Sequence, residues 1–125
     1  MYKRQEEDLS EHQSVAECAV IGIKDQLKGQ LPIGLIALKA GVTKDNDTIS
    51  KECVQMVRNQ IGPVAAFKVV IVIKRLPKTR SGKILRGTIR KIADNEEYKV
   101  PPTIDDPEIL NEIKEDLIKH KILNV

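Results

Sequence analysis

The chain has 125 residues, with 21 basic and 18 acidic side chains and a formal net charge of +3. This length is enough for one domain with a modest core. It contains no run of eighteen apolar residues, so we expect no membrane-spanning helix. Cys18 and Cys53 lie far apart, in apolar patterns without metal-ligand spacing, which predicts buried, reduced thiols and no metal site. His12 and His120 lack any partner pattern, and we expect both at the surface.

Hydrophobic periodicity predicts elements in the order α-β-β-α-β-α-α. Residues 1–5 are polar and do not fit the pattern that follows, so we expect them to be a non-native or disordered start. A short acidic helix is predicted over residues 6–12. Strands over residues 15–23 and 31–39 would form a hairpin with a long polar loop.

The middle of the chain predicts a helix followed by a strand. The helix begins at Asp47 or Thr48 and ends near residue 60, with an apolar side chain every fourth position. The run Val69–Ile73 is almost entirely β-branched. Such a run is typical of a strand covered on both faces, and we expect it to be the central strand.

Two further helices are predicted near the C-terminus, over residues 84–93 and 108–121, with Asp106 as the cap of the second. Three strands with helices packed on them define an α+β fold with a small three-stranded sheet. Residues 6–125 are therefore expected to form one domain.

Residues 74–91 hold eight basic residues and no acidic one. The rest of the chain holds 13 basic and 18 acidic residues, so the positive charge is concentrated in one place. A local positive charge predicts an anionic partner that contacts the chain there. A solvated basic turn is the simpler interpretation, and composition alone does not separate the two.

A turn with specific chemistry lies inside this stretch. Pro77 ends the preceding strand, and Thr79 and Ser81 carry the short hydroxyl groups that turn or cap a backbone. Gly82 allows a backbone conformation that other residues avoid. Ser81 or Gly82 is expected to cap the next helix, which puts Lys83 at its positive end. A lysine in that position favours a phosphate or carboxylate ligand.

Three other functions fit parts of this pattern. A P-loop is excluded, because Pro77 stands where its first glycine is required and Ile84 stands where Ser or Thr is required. A nucleic-acid-binding module could use the basic residues, but no aromatic side chain is interleaved with them. A stand-alone interaction module remains the third alternative.

Residues 77–83, Pro-Lys-Thr-Arg-Ser-Gly-Lys, resemble the P-x-T-x-S-G-K motif near the end of the adenylate-forming superfamily. The longer string over residues 76–84 is similar to that of acetyl- and propionyl-CoA synthetases. Residues 27–32, 61–67 and 103–107 resemble propionyl-CoA synthetases in particular. The chain thus resembles the C-terminal domain of an AMP-forming acyl-CoA synthetase.

This resemblance implies a ligase that uses ATP and CoA to activate propionate or acetate, in two steps that pass through an acyl-adenylate. The partner would be a large N-terminal adenylation domain of the same chain, which would also hold Mg²⁺. By itself the fragment is expected to be inactive. We expect no nucleic-acid or membrane partner, and a cytoplasmic location or, in a eukaryote, the mitochondrial matrix.

The resemblance also implies roles for individual residues. Lys83 matches the catalytic lysine of adenylate formation, and Pro77, Thr79, Ser81 and Gly82 match the motif that supports it. Acylation of Lys83 would neutralise its charge, so a lysine acetyltransferase and a deacetylase are expected partners. Arg58 matches an arginine that contacts the CoA phosphate, although a cation that pairs with the helix dipole would look the same in the sequence.

Overall fold

The computed structural model of the chain describes residues 3–25, 29–61 and 69–119. The elements within these ranges follow the predicted order and confirm the α+β class. They are α1 (Lys3–Ser10), β1 (Val15–Asp25), β2 (Gly29–Leu38), α2 (Asn46–Ile61), β3 (Val69–Ile73), α3 (Arg86–Ala93) and α4 (Glu108–Lys119). The first helix begins at Lys3, so it includes three residues that we expected to precede the fold.

The sheet has the strand order β1-β2-β3. Strands β1 and β2 form the predicted antiparallel hairpin, and β3 pairs with β2 in parallel. The prediction that Val69–Ile73 is the central strand was therefore wrong, because β2 lies between the other two. A β-branched run indicates a strand that is buried on both faces. Helices can bury both faces of an edge strand as well, so the run does not identify the central strand.

The β1–β2 hairpin is longer than its side chains suggested. Lys24 pairs with Gln30 and Asp25 with Gly29, so most of the expected loop belongs to the strands. A hydrophobic pattern does not predict this extension, because its side chains are mostly polar. The backbone hydrogen bonds that form the ladder do not depend on side-chain polarity. The side chain of Asp94 also holds this end of β1, since its Oδ1 accepts the Lys24 N–H at 2.8 Å.

Side-chain alternation along the strands divides the core into two clusters. One face of the sheet packs against α3 and α4, through residues that include Ile21, Leu35 and Ile71. The other face packs against α1 and α2, through residues that include Ile36 and Val70. Adjacent residues of one strand thus belong to opposite clusters, as a period of two requires.

The helix ends were predicted with mixed success. Asp106 closes the first turn of α4 as expected, because its Oδ1 accepts the Glu108 N–H at 3.1 Å. Helix α3 begins at Arg86, two residues later than predicted. None of the described helices is long and apolar enough to cross a membrane.

His12 is buried, so its prediction as a surface residue was wrong. Its Nδ1 accepts the backbone N–H of Ser14 at 3.1 Å, which leaves the proton of the neutral ring on Nε2. That atom donates to Glu52 Oε1 at 2.9 Å and ties the end of α1 to α2. His120 lies outside the described residues.

Both cysteines are free, as predicted. Cys53 is buried in the core, whereas Cys18 is half-buried and donates to the backbone oxygen of Glu6 at 3.2 Å. Burial raises the pKa of each thiol to about 11, so both stay protonated at neutral pH.

Removing a side chain from the central strand should destabilise the chain strongly. Leu35 is fully buried in the cluster under α3 and α4. We expect Leu35→Ala to lower the free energy of unfolding by about 3 kcal/mol, because it removes apolar contacts and leaves a cavity. Urea denaturation measures the change. Val100→Ala, at a side chain that is 50% exposed, is the control and should cost less than about 0.5 kcal/mol. Equal losses for the two variants would contradict this packing.

The cap of α4 should make stability depend on pH. Hydrogen bonds from Arg75 and from the Glu108 N–H lower the pKa of the Asp106 carboxyl. A carboxyl with a lowered folded-state pKa stabilises the fold above its unfolded pKa, and this contribution is lost as the pH falls through the folded value. The difference in urea midpoint between the unchanged chain and Asp106→Ala should therefore shrink below about pH 4.

Asp106→Asn serves as the control for the Asp106 charge, because Asn keeps a capping oxygen. Its smaller difference from the unchanged chain should disappear at low pH. A difference that does not change with pH would mean that the Asp106 charge does not contribute to stability.

Candidate functional site

Residues 77–85 form a small β-hairpin, named here the lysine hairpin. The Leu85 N–H donates to Pro77 O, and the Thr79 N–H donates to Lys83 O, both at 2.9 Å. Lys78 and Ile84 form an antiparallel bridge between the two arms. The candidate motif is therefore a paired structure of its own, placed before α3.

The tip of the lysine hairpin is a three-residue loop that ends in glycine. The Gly82 N–H donates to Thr79 O at 2.9 Å, and Gly82 has a φ of +93°. A hairpin loop of this length places its third residue in the left-handed region, which glycine adopts without strain. A Cβ at Gly82 would meet nothing within 4 Å, so the backbone conformation is the reason for glycine here.

The expected cap of α3 is wrong. Leu85 precedes the helix and makes no side-chain capping bond, while the Ser81 hydroxyl lies 2.9 Å from the Thr79 hydroxyl inside the loop. The loop uses these hydroxyls, and the pairing of Ile84 with Lys78 delays the start of the helix. Lys83 thus stands before the helix, outside the first turn in which the helix dipole acts.

The base of the lysine hairpin is anchored in the core. Pro77 is buried, and Ile84 and Leu85 pack on the cluster under α3 and α4. Residues 103–105 run alongside the hairpin as an outer strand. The Arg80 N–H donates to the oxygen of Thr103, and the Asp105 N–H donates to Lys78 O, both at 2.9 Å. The exposed tip therefore stands on a base held from two sides.

The structure separates the basic stretch into paired and unpaired cations. Four of its side chains form ion pairs within the fold, namely Arg75 with Asp106 and Glu112, Lys78 with Glu17, Arg86 with Glu6, and Arg90 with Asp94. The other four, Lys74, Arg80, Lys83 and Lys91, are exposed and form no ion pair within residues 3–25, 29–61 and 69–119. Two of these four cations, Arg80 and Lys83, lie at the tip of the lysine hairpin.

A groove of about 890 Å³ lies between α1, β1 and the hairpin side of α3. Arg86 and Glu6 line this groove and form an ion pair. Arg86 Nε and Nη2 donate to the Glu6 carboxylate at 2.7 and 2.5 Å. The same carboxylate accepts the Val20 N–H at 3.0 Å. Hydrogen bonding to Glu6 raises the pKa of Arg86. Sequence reasoning missed this pair, since no local signal connects residues 80 positions apart.

Arg58 is exposed on the last turn of α2. In the described part of the chain no carboxylate pairs with it. Helix α2 packs on one face of the sheet, and the lysine hairpin packs on the other. The fold thus does not bring Arg58 and Lys83 together.

Comparison with known proteins gives the family. The family model of the AMP-binding enzyme C-terminal domain matches residues 5–83. The short-chain acyl-CoA synthetase family member B of Dictyostelium discoideum, named as mitochondrial, is 50% identical over 94% of this chain and 17% of its own length. An acetyl-coenzyme A synthetase of Penicillium chrysogenum is 48% identical over 86% of this chain and 16% of its own.

A solved structure supports the fold. Acetoacetyl-CoA synthetase from Streptomyces lividans matches 95% of this chain and 18% of its own, with a TM-score of 0.76 and 20% identity. The chain spans about one sixth of the length of the curated relatives it matches. It therefore belongs to the family of the AMP-binding enzyme C-terminal domain, the small domain of adenylate-forming enzymes.

Proposed function

We propose that the chain is the mobile C-terminal domain of a short-chain acyl-CoA synthetase. In the first step a carboxylate attacks the α-phosphate of ATP and displaces pyrophosphate. In the second step the thiol of CoA attacks the acyl-adenylate and displaces AMP. The observation that carries this proposal is Lys83, an exposed lysine without an ion-pair partner in the described ranges, presented by an anchored hairpin.

Lys83 would act in the first step through its charge. The reaction brings two anions together and builds negative charge on the phosphate oxygens. An ammonium aimed at both groups lowers this barrier by position and electrostatics. Such a donor in a dry site contributes on the order of 3–4 kcal/mol to the transition state. An unpaired lysine suits the role, because no carboxylate among the described residues competes for it.

A large N-terminal domain would supply the rest of the active site. Exposed Arg80 and Lys83 fit a phosphate-bearing ligand, as ATP and CoA both are. Among the described residues no three His, Cys, Asp or Glu side chains converge as metal ligands. On the resemblance to AMP-forming synthetases, Mg²⁺ is proposed to bind in the N-terminal domain.

The position of Arg58 supports a domain that reorients between the two steps. Arg58 lies on α2, which packs on one face of the sheet, whereas the lysine hairpin packs on the other face. One orientation would present Lys83 to the reacting acid and ATP, and another would present Arg58 to the phosphate of CoA. Arg58 at the end of α2 is also favoured by the helix dipole, and this preference needs no CoA.

Propionate is the proposed acid, with acetate as its nearest rival. The segments that resemble propionyl-CoA synthetases support propionate, whereas the Penicillium relative is named for acetyl-coenzyme A. Of these segments, residues 103–107 form the outer strand beside the hairpin and the cap of α4, residues 29–32 begin β2, and residues 62–67 lie outside the described residues. The cytoplasm or the mitochondrial matrix is the proposed location, and the name of the Dictyostelium relative favours the latter.

Acylation of Lys83 is the proposed means of regulation. The side chain is exposed, so a lysine acetyltransferase and a deacetylase could reach it. An acyl group would remove the charge on which the first step depends.

A nucleic-acid function is less well supported, because half of the basic residues of the stretch 74–91 are paired with carboxylates of the fold.

The role of Lys83 can be tested in the full-length enzyme. We expect Lys83→Ala to lower ATP–pyrophosphate exchange about 10²- to 10³-fold, because the reacting phosphate loses its ammonium. Thioester formation from supplied acyl-adenylate should survive. Lys74→Ala, which removes another exposed lysine of the same stretch, is the matched control and should leave exchange unchanged. Exchange that persists in Lys83→Ala would refute the proposal. Comparing propionate with acetate in the same assay identifies the acid.

Arg58 should affect the second step alone. We expect Arg58→Ala to raise the KM for CoA about tenfold, the value of one hydrogen bond between charged groups, and to leave ATP–pyrophosphate exchange unchanged. Lys51→Ala, at another exposed cation of α2, is the matched control. An equal loss in both half-reactions would show that Arg58 serves the structure of α2 instead.

A further inference from the structure

Thr79 makes more hydrogen bonds to the tip of the lysine hairpin than a simple turn requires. Its N–H donates to Lys83 O, and its carbonyl accepts the Gly82 N–H, both at 2.9 Å. Its hydroxyl accepts the Lys83 N–H at 3.1 Å and lies 2.9 Å from the Ser81 hydroxyl. One side chain thus contacts both residues that flank Gly82.

The hydroxyl replaces a missing backbone acceptor. The Thr79 carbonyl is engaged by the Gly82 N–H, and the Lys83 N–H is bonded to Thr79 Oγ1 instead. Water could solvate this N–H at an exposed tip. Once a second domain covers the tip and excludes water, an N–H without a partner would be costly, and the Thr79 hydroxyl supplies an acceptor that does not depend on that domain.

The bond also restricts where the ammonium can go. Lysine carries its charge on a flexible four-carbon side chain. The space that the ammonium can occupy is therefore defined only as well as the position of the lysine backbone. Thr79 is hydrogen-bonded to both the backbone N–H and the backbone C=O of Lys83. Thr79 itself pairs with Ile104 of the outer strand. The β-branched side chain of Thr79 favours few χ1 rotamers, which keeps the hydroxyl in place.

We propose that Thr79 is a positioning residue for adenylate formation, and this inference rests on the role proposed for Lys83. Its hydroxyl fixes the backbone of Lys83 so that the ammonium meets the developing charge on the phosphate. It does not touch the substrate itself. Loss of the hydroxyl therefore lowers the rate of the first step, while the binding of ATP and the second step are unaffected.

The test compares Thr79→Val with Thr79→Ser in the full-length enzyme. Valine has nearly the shape of threonine without the hydroxyl, and serine retains the hydroxyl. We expect Thr79→Val to lower the kcat of ATP–pyrophosphate exchange about tenfold, with the KM for ATP unchanged, because a misplaced catalytic group costs rate. Thr79→Ser should stay within about threefold of the unchanged enzyme. Thr43→Val, at an exposed threonine before α2, is the control variant.

Two further readouts separate positioning from a structural role. Thioester formation from supplied acyl-adenylate and the melting temperature should not change in Thr79→Val. Parallel losses in both half-reactions, or equal defects for Val and Ser, would overturn the inference. Lys83→Ala is measured alongside. If Lys83→Ala lowers exchange as expected and Thr79→Val leaves its kcat unchanged, positioning by Thr79 is wrong and the proposed function stands. If Lys83→Ala retains exchange, the proposed function itself fails.

Discussion

Burial of strand β2 on both faces is the constraint on which the rest of the structure depends. Leu35 and Ile36 are adjacent and both fully buried, so each face of the sheet needs its own layer of helices. Helices α3 and α4 cover one face, and α1 and α2 cover the other. The protein consequently has two distinct outer surfaces, one that carries the lysine hairpin and one that carries Arg58.

Ion pairs within the fold determine which positive charges of residues 74–91 remain uncompensated. A row of basic residues would present a broad field if all were solvated, but carboxylates of α1, β1 and α4 take several of them. Among the described residues, Arg80 and Lys83 at the tip of the lysine hairpin keep uncompensated charges, as do Lys74 and Lys91 elsewhere in the stretch. These pairs are partly exposed, so their contribution to stability is small and their effect on charge distribution is the greater one.

The two surfaces are consistent with the proposed domain that takes part in two reactions in turn. A rigid body can offer different residues to the same partner only by rotating, since packed cores do not deform continuously. Anchoring of the lysine hairpin from below and from residues 103–105 lets the tip move with the domain as one unit. In the proposed first step, the position of Lys83 would then depend on hydrogen bonds near the tip, above all those of Thr79.

The sequence by itself determined the elements, the hairpin of β1 and β2, the turn around Gly82 and the residue Lys83 at its end. These features depend on periodicity and turn chemistry, which act over a few residues. Only the tertiary structure decided that β2 is central, that His12 is buried against Glu52 and that α3 starts after a second hairpin. Each of these outcomes depends on a partner distant in sequence, such as one 40 residues away for His12, and chain topology alone brings such groups into contact.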